Sequence, residues 1–336
     1  MKNVEGDDRV LATEIKLKED IERVLEVDER ILNSISDEEA LSIKPEKGET
    51  LPTYYDVIFK AVFIRNQSIL LKMIKRMFHI EEDINNPIAI IGYESVPIVY
   101  NGKTFKSDLL VKLSDESYVV IEMNNNSKLG VIDRNLIQLF RVHSQILKKG
   151  EIYNKLKDYR IRGINFNYMI EELDNNEVDK YAFCNVRTGE IASDLITYVN
   201  IDVEKCYNLV YNNIEKAPIE AKWGAIIKEK KIDNIIKILG GELSMEEKEE
   251  LRKTYEDIND DSRVLKSWIA EDNIRWKFEE KEEIGYQTGK EDGKETATIE
   301  MIKNMLNEKI DYNTISKITG KTIEEIQEIE KNMNKE

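Results

Sequence analysis

The sequence predicts a mixed α/β core, a sheet covered by helices, and three observations predict it. Residues 54–78 carry apolar positions at helical spacing, ahead of several short strand-like runs between residues 88 and 122. Residues 132–148 then return to helical spacing, through Ile132, Leu136, Leu139, Phe140 and Ile146. Two more strand-like runs follow, at 161–170 and 181–187.

Taken in order, residues 10–35 read as one or two helices from Leu11, Ile15, Ile21, Val24, Leu25, Ile31 and Leu32. Ser36-Asp37-Glu38-Glu39 caps a short further helix, and 44–52, with Pro and Gly as punctuation, is a connector. Residues 53–78 form an amphipathic helix pair, interrupted at Asn66-Gln67-Ser68, which caps the second helix. Strands are expected at 88–91, 95–100, 105–113 and 118–122, with turns at Asn101-Gly102 and Ser114-Asp115-Glu116-Ser117. The helix over 132–148 stops at Gly150, and from about residue 201 onward the pattern is helical. Gly285, Gly289 and Gly293 stand four apart in a charged stretch, which reads either as a flexible linker or as a close-packing helix face. Residues 301–332 read as two short helices around Thr319-Gly320-Lys321, a unit suited to DNA reading or to partner contact, including homo-oligomer formation. The expected organisation is an acidic helical arm over 1–50, an α/β domain over 51–215 and a helical C-terminal region over 216–336.

Composition bounds the function. A chain of 336 residues with 41% apolar content is long enough for a real core, and 35% charged residues is high. No apolar run is long enough for a membrane span, and the N-terminus lacks the apolar core of a signal peptide. Two cysteines and two histidines support neither a disulfide framework nor a Cys/His zinc site, so a reducing cytoplasm is the expectation. A net charge of −16 argues against indiscriminate polyanion binding, because phosphate contacts rest on Lys and Arg. The charge is segregated, however: residues 1–50 carry a net −7, 54–79 a net +4 and 128–162 a net +6. The cations lie on either side of the 105–126 hairpin, as ordinary solvated helix faces or as a local basic channel.

That hairpin carries the chemistry. Asp108 opens one apolar run and Glu122 closes the next, so antiparallel pairing would bring the two carboxylates together. Mg2+ (or Mn2+) needs little more, since it keeps several waters and takes one or two carboxylates plus substrate phosphate. The competing reading is a solvent-facing strand edge. Met123 alternates into the core and Asn124 returns to the side of Glu122. Arg134, Gln138 and Arg141 share one helix face, as phosphate contacts or as a solvated surface, and Lys60 and Lys128 are further candidate DNA contacts. His143 reads as a half-buried histidine, and Tyr153 and Trp223 as core anchors.

In order, Asp56-Val57-Ile58-Phe59-Lys60, Gly102-Lys103, Asp108, Ile121-Glu122-Met123-Asn124, Arg134 and Lys149-Gly150-Glu151-Ile152-Tyr153 resemble the signature of PD-(D/E)XK nucleases. The resemblance is to the branch of nuclease-family transposases and recombination-promoting nucleases, and it covers roughly residues 51–170. It implies a restriction-endonuclease-like core and divalent-metal-dependent hydrolysis of DNA phosphodiesters. Asp108 and Glu122 would be the metal ligands, with Asp56 assisting; a surface i,i+4 pair of Asp56 with Lys60 is the alternative. The sequence departs from the family pattern at two positions. Ser107 replaces the name-giving Pro, and Asn124 stands where Lys, or Gln in this branch, is expected. Asn124 can orient the attacking water but adds no charge. The rival expectation is a catalytically degenerate member that binds DNA or a protein.

Overall fold

The computed structural model describes residues 33–81, 83, 87–93, 98–100, 103–105, 108–125, 130–146, 159–170 and 176–333. Most of the expected N-terminal arm, Gly102, Ser107, Asn126, Lys128 and the 149–153 motif lie outside the described residues. The described chain falls into two compact units, Met1–Ala270 and Glu271–Glu336.

In the first unit the short helix α1 (Asp37–Ser42) is capped as expected, with Ser36 Oγ accepting from the Glu39 N–H at 3.1 Å. Helices α2 (Asp56–Arg65) and α3 (Gln67–Phe78) follow. They differ in a way that matters for the site. α3 buries one stripe, Ile69, Leu70, Met73, Ile74 and Met77. α2 is not amphipathic: every residue from Val57 to Ile64 is buried, Lys60 included. Asn66 ends α2 and opens α3 as its N-cap, as expected; its side chain serves α2, Nδ2 donating to the Val62 carbonyl at 2.8 Å.

The strands are β1 (Ile90–Tyr93), β2 (Ile98–Tyr100), β3 (Lys103–Phe105), β4 (Leu109–Leu113), β5 (Tyr118–Asn125), β6 (Ile161–Tyr168), β7 (Val178–Cys184) and β8 (Ile191–Asp202). β2 and β3 form a separate antiparallel ribbon; the others make a six-stranded sheet in the order β1-β4-β5-β6-β8-β7. The strand expected over 105–113 is therefore split between two sheets, and β5 runs three residues further than expected, which keeps Asn124 and Asn125 inside a strand. β8 was not foreseen, because Ser193, Asp194, Thr197, Asn200 and Asp202 interrupt its apolar run. Pairing is antiparallel for β4 with β5 and parallel for β5 with β6 and for β6 with β8.

Helix α4 (Val131–Ile146) covers one face of the sheet. Alternation assigns that face to Leu110, Tyr118, Val120, Ile161 and Ile196, which pack with Leu139 and Val142. The opposite residues, Val119, Ile121, Ile164, Phe166, Val199 and Ile201, join the larger core with α2 and α3. That core does not stop at residue 215: α5 (Val203–Asn212), α6 (Ile219–Ala225), α7 (Ile232–Ile238) and α8 (Met245–Asp260) add Cys206, Trp223, Ile235, Leu251 and Tyr255 to it. Trp223 is a core anchor, as expected.

Gly163 on β6 sets how closely α4 lies on the sheet. A Cβ there would meet Leu139 Cδ1 at 2.7 Å and Tyr198 Cβ at 3.1 Å. Gly163→Val is expected to destabilise the fold by about 1–3 kcal/mol through overpacking. Denaturant melts check this, and an unchanged midpoint would count against the close packing of α4.

The second unit contains most of α9 (Ser262–Asn307), then α10 (Tyr312–Thr319) and α11 (Ile323–Met333). The stretch with Gly285, Gly289 and Gly293 is helical, not a flexible linker. The terminal helix pair forms as expected around Gly320, which takes a left-handed φ of 74°. Ile302, Ile315 and Ile326 are its buried centre.

Candidate active site

The site is assembled at the ends of β4 and β5, between α2 and α4. Asp108 lies at the bend before β4, one position beyond the Leu109–Ile121 pair, which puts it beside Glu122. Its Oδ2 accepts the Met123 main-chain N–H at 2.7 Å. Glu122 is buried, and its Oε1 accepts from Gln138 Nε2 at 2.8 Å. From the other side, Lys60 Nζ pairs with Asp56 Oδ2 at 2.5 Å and with Asp108 Oδ1 at 3.8 Å. Lys60 reaches the site because α2 is buried all round. Lys60, a candidate DNA contact by sequence, instead lies in the interior among carboxylates.

Three acids in one neighbourhood repel one another. Burial, then Asp56 and Glu122, hold the Asp108 carboxyl well above the usual range, and Lys60 only partly offsets them. Burial likewise pushes Glu122 up to about 8, against the opposing pull of Arg134. Burial alone would lower the Lys60 pKa, but Asp56 and Asp108 outweigh it and raise it, so the ammonium stays charged.

Asn124 is fully engaged. Its Nδ2 donates to Asn167 Oδ1 at 3.0 Å, and its Oδ1 accepts from the Arg134 guanidinium. Of the expected phosphate-contacting face, Arg134 and Gln138 thus turn inward onto β5, while Arg141 is half-buried. His143, on the same helix, is half-buried and its pKa is lowered by burial.

The parallel register extends this polarity across the sheet: Glu122 stands beside Asn165, and Asn165 beside Asn200; Asn124 stands beside Asn167, and Asn167 beside Asp202. Asn165 Nδ2 donates to Asn200 Oδ1 at 2.9 Å, and Asn167 Nδ2 to the Asn165 carbonyl at 3.2 Å. Sequence reasoning missed these asparagines. The signal was there in Gly163-Ile164-Asn165-Phe166-Asn167, polar residues at every second position of an otherwise apolar strand.

The flanking basic stretch over 54–79 is not an open cationic channel. Arg65 pairs with Asp261 at 3.2 Å, Lys72 with Glu247 at 2.5 Å and Arg76 with Glu242 at 2.7 Å. These acids come from far along the chain, so local charge counting could not foresee them.

The donors suit a hard divalent cation, because buried, mutually repelling carboxylate oxygens are what such an ion neutralises. No three His, Cys, Asp or Glu side chains among the described residues lie close enough to share one ion. Asp108 and Glu122 are the two carboxylates that the β4–β5 pairing brings side by side.

A mixed sheet flanked by helices, with paired acids at the ends of adjacent antiparallel strands, defines a restriction-endonuclease-like α/β fold. Residues 53–284 match the family described as PD-(D/E)XK nuclease family transposase, and the chain belongs to that family. No curated protein and no solved structure is detectably similar to it. Among the described residues no helix is long and apolar enough to cross a membrane.

Proposed function

We propose that the chain is a divalent-metal-dependent DNA endonuclease, using Mg2+ or Mn2+ and acting in the cytoplasm. The observation that carries this reading is the pair Asp108 and Glu122, held side by side in a buried site where a bound divalent cation would neutralise both carboxylates. When bound, the metal would polarise the scissile phosphate and make a bound water acidic.

The rest is the chain's own work. The Met123 N–H fixes Asp108 and the Gln138 amide fixes Glu122, so both ligands are positioned before substrate arrives. Asp56 holds Lys60 against the same cluster. Asn124, tied to Arg134 and Asn167, positions Arg134 beside Glu122. Hydrolysis forms one bond from water oxygen to phosphorus and breaks one P–O ester bond. The departing oxygen ends protonated. DNA contact beyond the site falls to Arg141 and Lys128, and self-association to the C-terminal helices.

A specific observation favours a second reading, a non-catalytic binding module: Asn124 lacks the expected charge. One assay separates the two. Full-length protein is incubated with plasmid DNA and Mg2+ or Mn2+, beside Asp108→Ala and a chelator control. Nicking by the wild type alone, reduced to background in Asp108→Ala, is the expected result. Cleavage that survives the substitution sinks the site, and DNA binding without cleavage by either protein favours the second reading.

A further inference from the structure

We propose that Lys60 is the catalytic ammonium of this site, supplied from helix α2 in place of the lysine missing at strand position 124, and facing the scissile phosphate beside Asp108. The inference rests on the nuclease reading above and gives the ammonium role of strand position 124 to Lys60 on α2.

Three observations carry it. Lys60 is 8% exposed, in the middle of a helix whose eight central residues are all buried. An ammonium is costly in such a place unless charged partners hold it, and here the partners are the site's own acids, Asp56 and Asp108. A lysine serving the fold alone would be dispensable there, since an apolar residue buries with less penalty.

Next, the strand position has no charge to offer. Both ends of the Asn124 amide are taken, by Asn167 and by Arg134. Arg134 is the other cation at the site, but its guanidinium bonds go to the amide oxygens of Asn124 and Asn135. Among the described residues, Lys60 ion-pairs with the proposed ligand Asp108 at 3.8 Å, while Arg134 acts on Glu122.

Finally, the chemistry needs a fixed positive charge that metal binding does not displace. Lys60 Nζ lies 2.5 Å from Asp56, outside the ligand pair, and 3.8 Å from Asp108. At 3.8 Å from Asp108 the ammonium is beside that carboxylate without being tightly bound to it. A metal on Asp108 and Glu122 leaves the bond to Asp56 intact, so the ammonium stays next to the phosphate. There it stabilises the charge that develops as water oxygen bonds to phosphorus and the ester P–O bond breaks.

The test compares four full-length proteins: wild type, Lys60→Gln, Asn124→Lys and the double variant. Plasmid cleavage is read beside Mn2+ affinity and thermal melting. Lys60→Gln is expected to lose about 10²–10³-fold in cleavage rate, as for removal of one preorganised donor, while still binding Mn2+. The double variant, which returns an ammonium from the strand side, is expected to regain at least about tenfold of that loss. Wild-type cleavage by Lys60→Gln overturns the proposal. So does a double variant no faster than Lys60→Gln while Asn124→Lys alone is active. A large gain in Mn2+ affinity in Lys60→Gln also overturns it, since Lys60 would then occupy the metal's own place. If Lys60→Gln does not fold, Lys60→Arg keeps the charge but not the ammonium geometry. Folded Lys60→Arg cleaving at the wild-type rate overturns the assignment, and at least about a tenfold loss supports it. A wild type that cleaves nothing defeats the nuclease reading itself, a different result from a wild type and Lys60→Gln that cleave alike.

Discussion

Replacing Glu122 by Gln is expected to abolish metal-dependent DNA cleavage and, at the same time, to raise the melting temperature of the metal-free protein. The two effects have one cause. Glu122 is buried beside Asp108 and Asp56, and burial pushes its pKa from 4.5 up to about 8. The folded protein therefore holds a proton that the unfolded chain releases. The stability linked to that proton is complete below the unfolded value of 4.5 and is lost as pH rises through about 8. Metal-free wild type should melt at progressively lower temperature between about pH 4.5 and about pH 8. Glu122→Gln, neutral throughout and the same shape, should largely lose that slope. Gln138 can still donate to the new amide oxygen, so its N–H keeps an acceptor. Mn2+ affinity should fall by more than about 10²-fold, beyond the 10–100-fold typical of outer-shell substitutions. In the wild type that affinity should climb with pH, because binding must release the proton. Calorimetric scans across pH, with and without Mn2+, test both halves. A metal-free variant no more stable than wild type at high pH would mean that Glu122 is not the strained acid described here.

A fragment ending at residue 215 is expected not to fold, whereas 33–270 should fold cooperatively. Trp223, Ile227, Leu251, Tyr255 and Ile258 lie in one cluster with Phe59 and Phe166. Removing even one such large side chain costs about 3–5 kcal/mol, and total stability is only about 5–15 kcal/mol. Polar contacts point the same way. Ile232 N–H donates to the Gly48 carbonyl at 3.0 Å, Thr50 N–H to the Lys230 carbonyl at 2.7 Å, and Asn259 Nδ2 to the Glu49 carbonyl at 2.7 Å. The C-terminal helices thus clamp the segment that leads into α2, and α2 carries Asp56 and Lys60. Circular dichroism and amide NMR of the two fragments decide it: a sharp melt for 33–215 would show that the later helices are an accessory.

Much of this was legible in the sequence because the signals were local. The apolar runs that Asp108 opens and Glu122 closes marked β4 and β5, and the cap at Ser36 marked the start of α1. What was hidden depended on distant partners. Lys60 reads as a surface cation next to Asp56 until α8 packs on the helix and Asp108 meets the ammonium from the bend before β4. Arg65, Lys72 and Arg76 read as a basic flank until Asp261, Glu247 and Glu242 arrive from 196, 175 and 166 residues away. β8 was lost because its polar residues, Asn200 and Asp202 among them, continue a row that begins at Glu122 on another strand.

That row has a consequence for folding. β5, β6 and β8 run parallel and are far apart in sequence, so no tight turn sets how they line up. Slipping β6 by one residue would drive Asn165 and Asn167 into the apolar side against Phe59 and strand Phe166 among amides. Slipping it by two would break the Asn124–Asn167 and Asn165–Asn200 bonds, leaving buried amides without their partners. The asparagines beside the acids act as alignment marks for the sheet, so setting the register also brings Asp108 and Glu122 together at one corner.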